Sequence, residues 1–288
     1  NSLVTGEGNA HMVDGYLYVP FSRDGNQGRG GFSFYDISDP RNPVAVYTYL
    51  NEDTFPMVEP HGYGFSDGKM VHCTTSGIAV WDISDPAAVN KISTLNLGTT
   101  VGYQHVCWTV AYQAPYAFVG TGFSGLQVVD LSDPANPVLV SQLNPAQLGF
   151  VAIHNVNVVG NLLVATVTED KKGYVTVDIS DPTTPVLIKA ITSFAPAVYS
   201  GVLNGNYLYG LGDNGIMYVH DVSDPASIDF VAPAYTGALN GGGYGWVQDN
   251  YLFGGFGKHF IKFDVEDPSS IEIVGAGVPR AFVYLPIM

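Results

Sequence analysis

The sequence predicts an all-β fold, a single β-propeller of four-stranded antiparallel blades. A segment of about twelve residues, which begins as YDISDPRNPVAV at Tyr35, occurs six times. Its first aspartate falls at Asp36, Asp82, Asp130, Asp178, Asp221 and Asp264. These copies lie 43 to 48 residues apart, and the chain has 34 glycines, 18 tyrosines and 15 phenylalanines. Such a period without helical periodicity indicates propeller blades, and the composition is typical of short strands joined by turns.

Each repeat divides into four strands, lettered A to D in chain order. In the fourth repeat, HNVNVV predicts strand A, LLVATV strand B, YVTVDI strand C and PVLIKAI strand D. Gly160-Asn161 predicts the A–B hairpin turn, and EDKKG predicts the B–C turn. The segment Ser180-Asp181-Pro182 predicts a tight turn, because short polar side chains bond the nearby backbone and proline fixes φ. The repeated aspartates are therefore expected to form turns rather than to catalyse a reaction.

The repeats divide the chain into six predicted blades and a short tail. The blades are expected at residues 5–50, 51–97, 98–145, 146–193, 194–237 and 238–278, with residues 279–288 as an extra or closing strand. Six blades close the propeller in this interpretation, and seven are the alternative if the chain is a fragment. No linker marks a second domain, so one domain covering residues 1–288 is expected.

Segments of three of these repeats carry a family resemblance. The segments VVDLSDPANPVLV and VTVDISDPTTPVLI, with GNYLYGL and GNLLVAT, resemble the LVIVD repeat. The resemblance covers nearly the whole chain and implies a β-propeller. It also implies a secreted, periplasmic or cell-surface protein, since this repeat occurs mostly in such bacterial and archaeal proteins. It implies no particular activity, because the repeat is a scaffold.

Charge, hydropathy and cysteine content narrow the partners and the location. The formal net charge is -15, which disfavours nucleic acid as a partner. No apolar run approaches the ~20 residues of a transmembrane helix. The chain begins at Asn1 without a methionine, which is compatible with a removed signal peptide. Cys73 and Cys107 are expected to be buried thiols, since free cysteine packs as a small hydrophobe, with a disulfide as the alternative.

Histidines on strand A are the main candidates for a functional site, because strand A lines the central channel of a propeller. We expect His61, His105 and His154 to begin strand A in blades two, three and four, with His11 on strand A of blade one. Converging imidazoles suit a transition metal, and Zn, Cu, Fe, Mn and Ni are not distinguished. The prediction is a metal site with His61, His105 and His154 as ligands and His11 as the fourth. The alternative is that these histidines line a hydrated channel without binding metal.

Other residues near the same strand ends complete the predicted site. Tyr199 and Tyr244 lie near the corresponding position in blades five and six and are candidate catalytic residues. Arg23 and Arg29, in the longest B–C loop, are candidates to bind an anionic group of a substrate. Trp108 flanks strand A of blade three and is a candidate substrate contact.

The predicted function is a secreted metal-dependent enzyme, a lyase, hydrolase or oxidase, acting on a small or oligomeric anionic ligand such as an oligosaccharide. The sequence has no GxSxG, phosphate-binding or HExxH motif, which argues against a serine hydrolase, a nucleotide-binding protein and a zincin. The alternative function is a non-catalytic cell-surface propeller that binds a protein or a glycan. The substrate and the reaction class are left open.

Overall fold

Six four-stranded antiparallel sheets make up the fold. The computed structural model describes residues 10–23, 29–50, 62–74, 76–98, 107–149, 151–167, 173–192, 198–212, 214–235, 242–256 and 259–277. In these ranges the chain forms 24 strands and no helix, and each sheet contains four consecutive strands. Accordingly, no described helix is long and apolar enough to cross a membrane. The predicted fold class, a β-propeller with six blades, is confirmed.

The chain divides into two compact units, and the first, Asn1–Gln142, contains blades one to three. Blade one consists of β1 (His11–Val13), β2 (Tyr16–Arg23), β3 (Arg29–Asp36) and β4 (Val44–Leu50). Blade two consists of β5 (Tyr63–Ser66), β6 (Lys69–Cys73), β7 (Gly77–Asp82) and β8 (Asn90–Asn96). Blade three consists of β9 (Thr109–Gln113), β10 (Tyr116–Gly120), β11 (Leu126–Asp130) and β12 (Val138–Leu143).

The second unit, Leu143–Met288, contains blades four to six. Blade four consists of β13 (Ile153–Val159), β14 (Leu162–Val167), β15 (Gly173–Asp178) and β16 (Val186–Ile191). Blade five consists of β17 (Val198–Asn204), β18 (Tyr207–Gly212), β19 (Ile216–Asp221) and β20 (Asp229–Tyr235). Blade six consists of β21 (Gly242–Gln248), β22 (Tyr251–Phe256), β23 (His259–Asp264) and β24 (Glu272–Gly277). The single domain and the closing role of residues 279–288 stay predictions.

The two middle strands of most blades are buried on both faces. In blade four, β14 and β15 are almost completely buried, whereas the outer strand β16 is largely exposed. Near-continuous apolar runs such as Leu162–Val167 fit this arrangement, because neighbouring blades cover both faces of a middle strand. The core of each unit therefore lies between successive blades.

The repeated aspartates form the expected turns. The backbone N–H of Ser180 donates to Asp178 Oδ1 at 2.8 Å, and the equivalent bond is present in all six repeats. This N–H donor lowers the pKa of Asp178, because it stabilises the carboxylate. The turns also join blades, since Thr176 Oγ1 in blade four donates to the carbonyl of Pro225 in blade five at 2.7 Å.

Candidate functional site

The A–B hairpin turns give a common reference point for counting along strand A in different blades. In blade four, Val159 pairs with Leu162 across the turn at Gly160, and His154 lies six residues before that turn. We call the sixth residue before each A–B turn the inner slot. Counting along the chain, the inner slot holds His61, Trp108, His154, Tyr199 and Gly243 in blades two to six.

The hairpin positions correct one of the histidine alignments. His105 was expected to match His154, but β9 begins at Thr109 and the inner slot of blade three holds Trp108, three residues beyond His105. His11 lies three residues closer to its turn than the inner slot, and it pairs with Tyr18. The matched position expected for His105 is therefore wrong, whereas His11 lies on strand A of blade one as expected. Their roles as metal ligands stay predictions.

His154 lies in an irregular part of its strand. The pairing of β13 with β14 shifts between Ile153 and Val156, so that His154 and Asn155 form a bulge. His154 is only 3% exposed. Bulges redirect side chains and are frequent beside active sites. The local backbone therefore gives His154 an orientation that a regular strand would not provide.

The same irregularity recurs in the two blades that follow. The register of β17 shifts between Val198 and Ser200, which places Tyr199 in a bulge. The register of β21 shifts between Gly242 and Gly245, and Tyr244 lies in that interval. Both predicted catalytic tyrosines are therefore on strand A at bulged positions. Their side chains lie outside the described residues, and their catalytic role stays a prediction.

Side-chain hydrogen bonds hold the bulge of blade four against blade five. Asn155 Oδ1 accepts hydrogen bonds from Asn157 Nδ2 at 2.7 Å and from the backbone N–H of Gly201 at 3.2 Å. A Cβ on Gly201 would lie 3.3 Å from Thr166 Cγ2 of blade four, so β17 approaches that blade closely at this glycine. The backbone that carries His154 is therefore fixed by the neighbouring blade.

Cys73 and Cys107 form a disulfide with a Cα–Cα distance of 5.4 Å. The expectation of two buried thiols is therefore wrong, although both residues are buried. Cys73 ends β6 of blade two, and Cys107 lies just before β9 of blade three. Because β5 and β6 pack beside β9, two cysteines that are 34 residues apart in sequence meet between the blades.

The disulfide contacts the two chain segments that carry predicted ligands. The backbone N–H of Cys73 donates to the carbonyl of Gly62 at 2.5 Å. A Cβ on Gly62 would overlap Cys73 Sγ and would lie 2.8 Å from the carbonyl oxygen of Trp108. His61 directly precedes Gly62, and His105 is two residues before Cys107. The crosslink therefore anchors the points where both histidine segments join the described strands.

The remaining predicted residues have different environments. Trp108 is only 7% exposed, and its backbone N–H donates to the carbonyl of Gly120 at 2.8 Å, so it forms part of the interior rather than an exposed platform. Arg23 and Arg29 pair with each other at the ends of β2 and β3, but their side chains lie outside the described residues. His61 and His105 also lie outside them.

The environment of His11 is aromatic. Its ring stacks on Phe65 with a centroid distance of 5.4 Å and lies 6.3 Å from the ring of Tyr63. Partial burial in this environment lowers the pKa of His11. In the ranges that the structure describes, no three His, Cys, Asp or Glu side chains are grouped closely enough to hold a metal ion.

His72 is a buried polar residue that is not among the predicted site residues. It is 1% exposed and lies on β6 next to the disulfide. Desolvation lowers the pKa of His72 to about 4, partly offset by a hydrogen bond to the backbone of Cys73. Its Nε2 has no hydrogen-bond partner among the described residues. The sequence does not show that this histidine is buried. Strand B is buried on both faces, so its residues do not alternate between polar and apolar in a way that would mark the inward-facing positions.

Comparisons with known proteins agree on the repeat and on the fold. The family model described as LVIVD repeat matches residues 107–144, 154–192 and 201–235. No curated protein matches the chain significantly.

Solved structures resemble the chain at low sequence identity. A protein from Lactobacillus plantarum is 12% identical, with 90% of this chain and 81% of that chain covered and a TM-score of 0.68. A functionally unknown protein from Desulfotomaculum acetoxidans is 13% identical, with 91% and 82% covered and a TM-score of 0.67. Hsv2p from Kluyveromyces lactis is 13% identical, with 91% and 76% covered and a TM-score of 0.57. At these identities the likeness concerns the fold alone.

Proposed function

We propose that this β-propeller, which carries three LVIVD repeats, is a secreted protein with a histidine-based transition-metal site. The observation that carries this proposal is the disulfide between Cys73 and Cys107. It supports secretion, because structural disulfides form and persist mainly in oxidising compartments outside the cytosol. The formal net charge of -15 also suits a protein in an extracellular or periplasmic solution.

The same disulfide supports the location of the metal site. His61 and His105 extend from the two backbone segments that the crosslink joins through Gly62 and Cys107. Anchoring ligand segments reduces the entropy that is lost when a metal binds. We assign His61 and His105 as the principal ligands. His154 and His11 remain the further ligands that the sequence predicts.

A metal at this site would polarise a carbonyl or carboxylate group or activate a water molecule. The protein would then act as a lyase, a hydrolase or an oxidase on a small or oligomeric anionic ligand. Arg23 and Arg29 would bind the anionic group. Tyr199 and Tyr244 would supply the acid or base.

Cobalt(II) titration followed by visible absorption tests the proposal. We expect oxidised wild-type protein to bind Co²⁺, and the variants His61→Ala and His105→Ala to bind it at least about tenfold more weakly. His259→Ala is the matched control, because His259 is a half-buried histidine in blade six outside the predicted site. Equal affinities in all four proteins would contradict the assignment of His61 and His105.

A non-catalytic cell-surface propeller that binds a protein or a glycan is the second candidate. The inner slot favours it, because this position holds Tyr199 and Gly243 in blades five and six rather than histidine. Aromatic side chains at such positions suit ligand recognition. Binding to a glycan array separates the two functions. If the protein is a non-catalytic propeller, His61→Ala should leave glycan binding unchanged. If His61→Ala loses glycan binding together with Co²⁺ binding, the result supports the metal site.

A further inference from the structure

The outer strands of blades four and five carry exposed apolar side chains. Phe230 on β20 is 51% exposed, and Val186 on β16 is 61% exposed. Pro233 on β20 is also exposed. Both blades belong to the same compact unit. Apolar side chains such as these form one binding surface only if they face the same boundary between blades.

Contacts between the two blades show that β20 turns these side chains towards blade four. The ring centroid of His220 lies 4.7 Å from that of Tyr174 in blade four and 5.5 Å from that of Phe230. Phe230 pairs with His220 across β19 and β20, and Pro233 pairs with Tyr218, which is on the same side of β19 as His220. Phe230 and Pro233 therefore form one wall of the boundary.

The register of blade four places Val186 on the opposite wall. Tyr174, Thr176 and Asp178 lie on one side of β15, and Asp178 pairs with Val186 on β16. This side faces blade five, because Thr176 Oγ1 donates to the carbonyl of Pro225 in blade five at 2.7 Å. Val186 therefore faces the same boundary as the residues of β20. We call three side chains the rim groove: Val186, Phe230 and Pro233.

The rim groove is more apolar than the equivalent positions at other boundaries within the two units. Val186 is the eighth residue after the repeated aspartate of its blade, and Phe230 is the ninth after that of the next blade. At the other three boundaries, one of these two positions is polar or charged: Val44 with Lys91, Asn90 with Leu139, and Asp229 with Ile273. Two apolar walls therefore distinguish the boundary between blades four and five.

Negative charge flanks the rim groove. Five aspartates lie in the C–D turns of the two blades or at the start of β20: Asp178, Asp181, Asp221, Asp224 and Asp229. Among the residues described on β16, β20 and these turns, Lys189 is the only basic one. A surface with this charge attracts cationic groups. It disfavours a second copy of this chain, which would bring the same aspartates to the contact.

We propose that the rim groove binds a segment of another protein that carries arginine beside large apolar residues. An apolar side chain fills the space between Val186 and Phe230. Arginine suits the charged edge, because its planar guanidinium stacks on an aromatic ring such as Phe230 and pairs with a carboxylate such as Asp229. Pro233 has no N–H to donate to an added strand, so side-chain contacts carry the recognition.

Fluorescence anisotropy with a fluorescein-labelled peptide, Arg-Leu-Arg-Leu-Arg, tests the proposal. Phe230→Ser should weaken binding at least about tenfold, because it removes the aromatic anchor. Leu139→Ser is the matched control, since Leu139 has the equivalent position in blade three and is 40% exposed, and it should leave the Kd unchanged. Equal binding by wild type and Phe230→Ser, or no saturable binding to the wild type, would overturn the proposal.

A second variant keeps the aromatic ring and changes only charge. Asp229→Asn should weaken binding of the same peptide about threefold and make it less sensitive to salt. Because Asp229 is exposed, this variant decides the matter if Phe230→Ser does not fold. A peptide with lysine in place of each arginine should bind the wild type more weakly, because lysine lacks the planar group. Unchanged affinity of Asp229→Asn for the arginine peptide would contradict the proposal.

Two other occupants of the rim groove give different results. If the wild type elutes as a dimer that Phe230→Ser converts to a monomer, a second copy occupies the groove and the proposal fails. If a glycan array shows binding that Phe230→Ser abolishes while the arginine peptide does not bind, the occupant is a glycan and the proposal fails. The groove lies on outer strands, away from the proposed metal ligands, so Co²⁺ should not change the Kd of the peptide.

Discussion

Loss of the Cys73–Cys107 disulfide is expected to remove a large part of the free energy of unfolding. The bond closes a loop between residues 34 apart in sequence. A loop of this length restricts the unfolded chain by about 4 kcal/mol in the chain-entropy model. Both cysteines are at most 2% exposed, so alanine replaces them without exposing a polar atom. The variant Cys73→Ala/Cys107→Ala should therefore unfold with a free energy about 4 kcal/mol lower than the oxidised wild type.

Guanidinium unfolding followed by circular dichroism measures this difference. Dithiothreitol should destabilise the wild type by a similar amount, about 4 kcal/mol, and should leave the double variant unchanged. The unchanged variant is the control for any general effect of the reductant. A loss below about 1 kcal/mol in both experiments would contradict this prediction, because it would mean that the bond restricts little of the unfolded chain.

Three further predictions concern buried groups and close backbone contacts. Desolvation lowers the pKa of His72 from 6.5 to about 4, so only the unfolded chain gains this proton between those values. The free energy of unfolding should therefore fall by about 3 kcal/mol from pH 7 to pH 4 because of this histidine. In urea unfolding, the free energy should depend less on pH in His72→Leu than in the wild type, and an identical pH dependence in the two proteins would contradict the prediction. Gly62→Ala should cost about 1–3 kcal/mol in thermal unfolding, because its Cβ overlaps the disulfide, whereas Gly275→Ala, whose Cβ meets only Lys262 Cβ at 3.6 Å, should cost less than about 1 kcal/mol. Thr176→Val should cost about 1 kcal/mol, because it removes the bond to Pro225, and an unchanged Tm would show that this bond between blades does not stabilise the fold.

The repeated motif made the fold predictable from the sequence. Aspartates such as Asp178 and Asp181 recur with a blade-sized period, and their turn chemistry is local, since each accepts hydrogen bonds from residues two positions ahead. Strand order within each blade followed from the same period. The same turn, repeated six times at a blade-sized spacing, leaves few topologies other than a propeller.

The candidate site was only partly predictable, because it depends on register and on contacts between blades. The A–B turn of blade three uses Ala114-Pro115, without the glycine or asparagine signal of Gly160-Asn161, so the sequence did not show that His105 lies outside the inner slot. The bulge at His154 appears only in the strand pairing.

The disulfide was missed for a related reason. Cys73 and Cys107 meet because β6 packs beside β9, and sequence separation carries no information about that contact. Residues at the junction of two repeats are therefore the least predictable part of this site.

Elemental analysis by plasma mass spectrometry tests the proposed metal site most directly. The protein is purified without a histidine tag, and the wild type is compared with a His61→Ala/His105→Ala/His154→Ala variant. We expect a near-stoichiometric transition metal in the wild type and its loss in the folded variant, and the identity of that metal would narrow the reaction class. If both proteins remain free of metal after reconstitution with Zn²⁺, Cu²⁺, Fe²⁺, Mn²⁺ and Ni²⁺, the proposed metal site is contradicted.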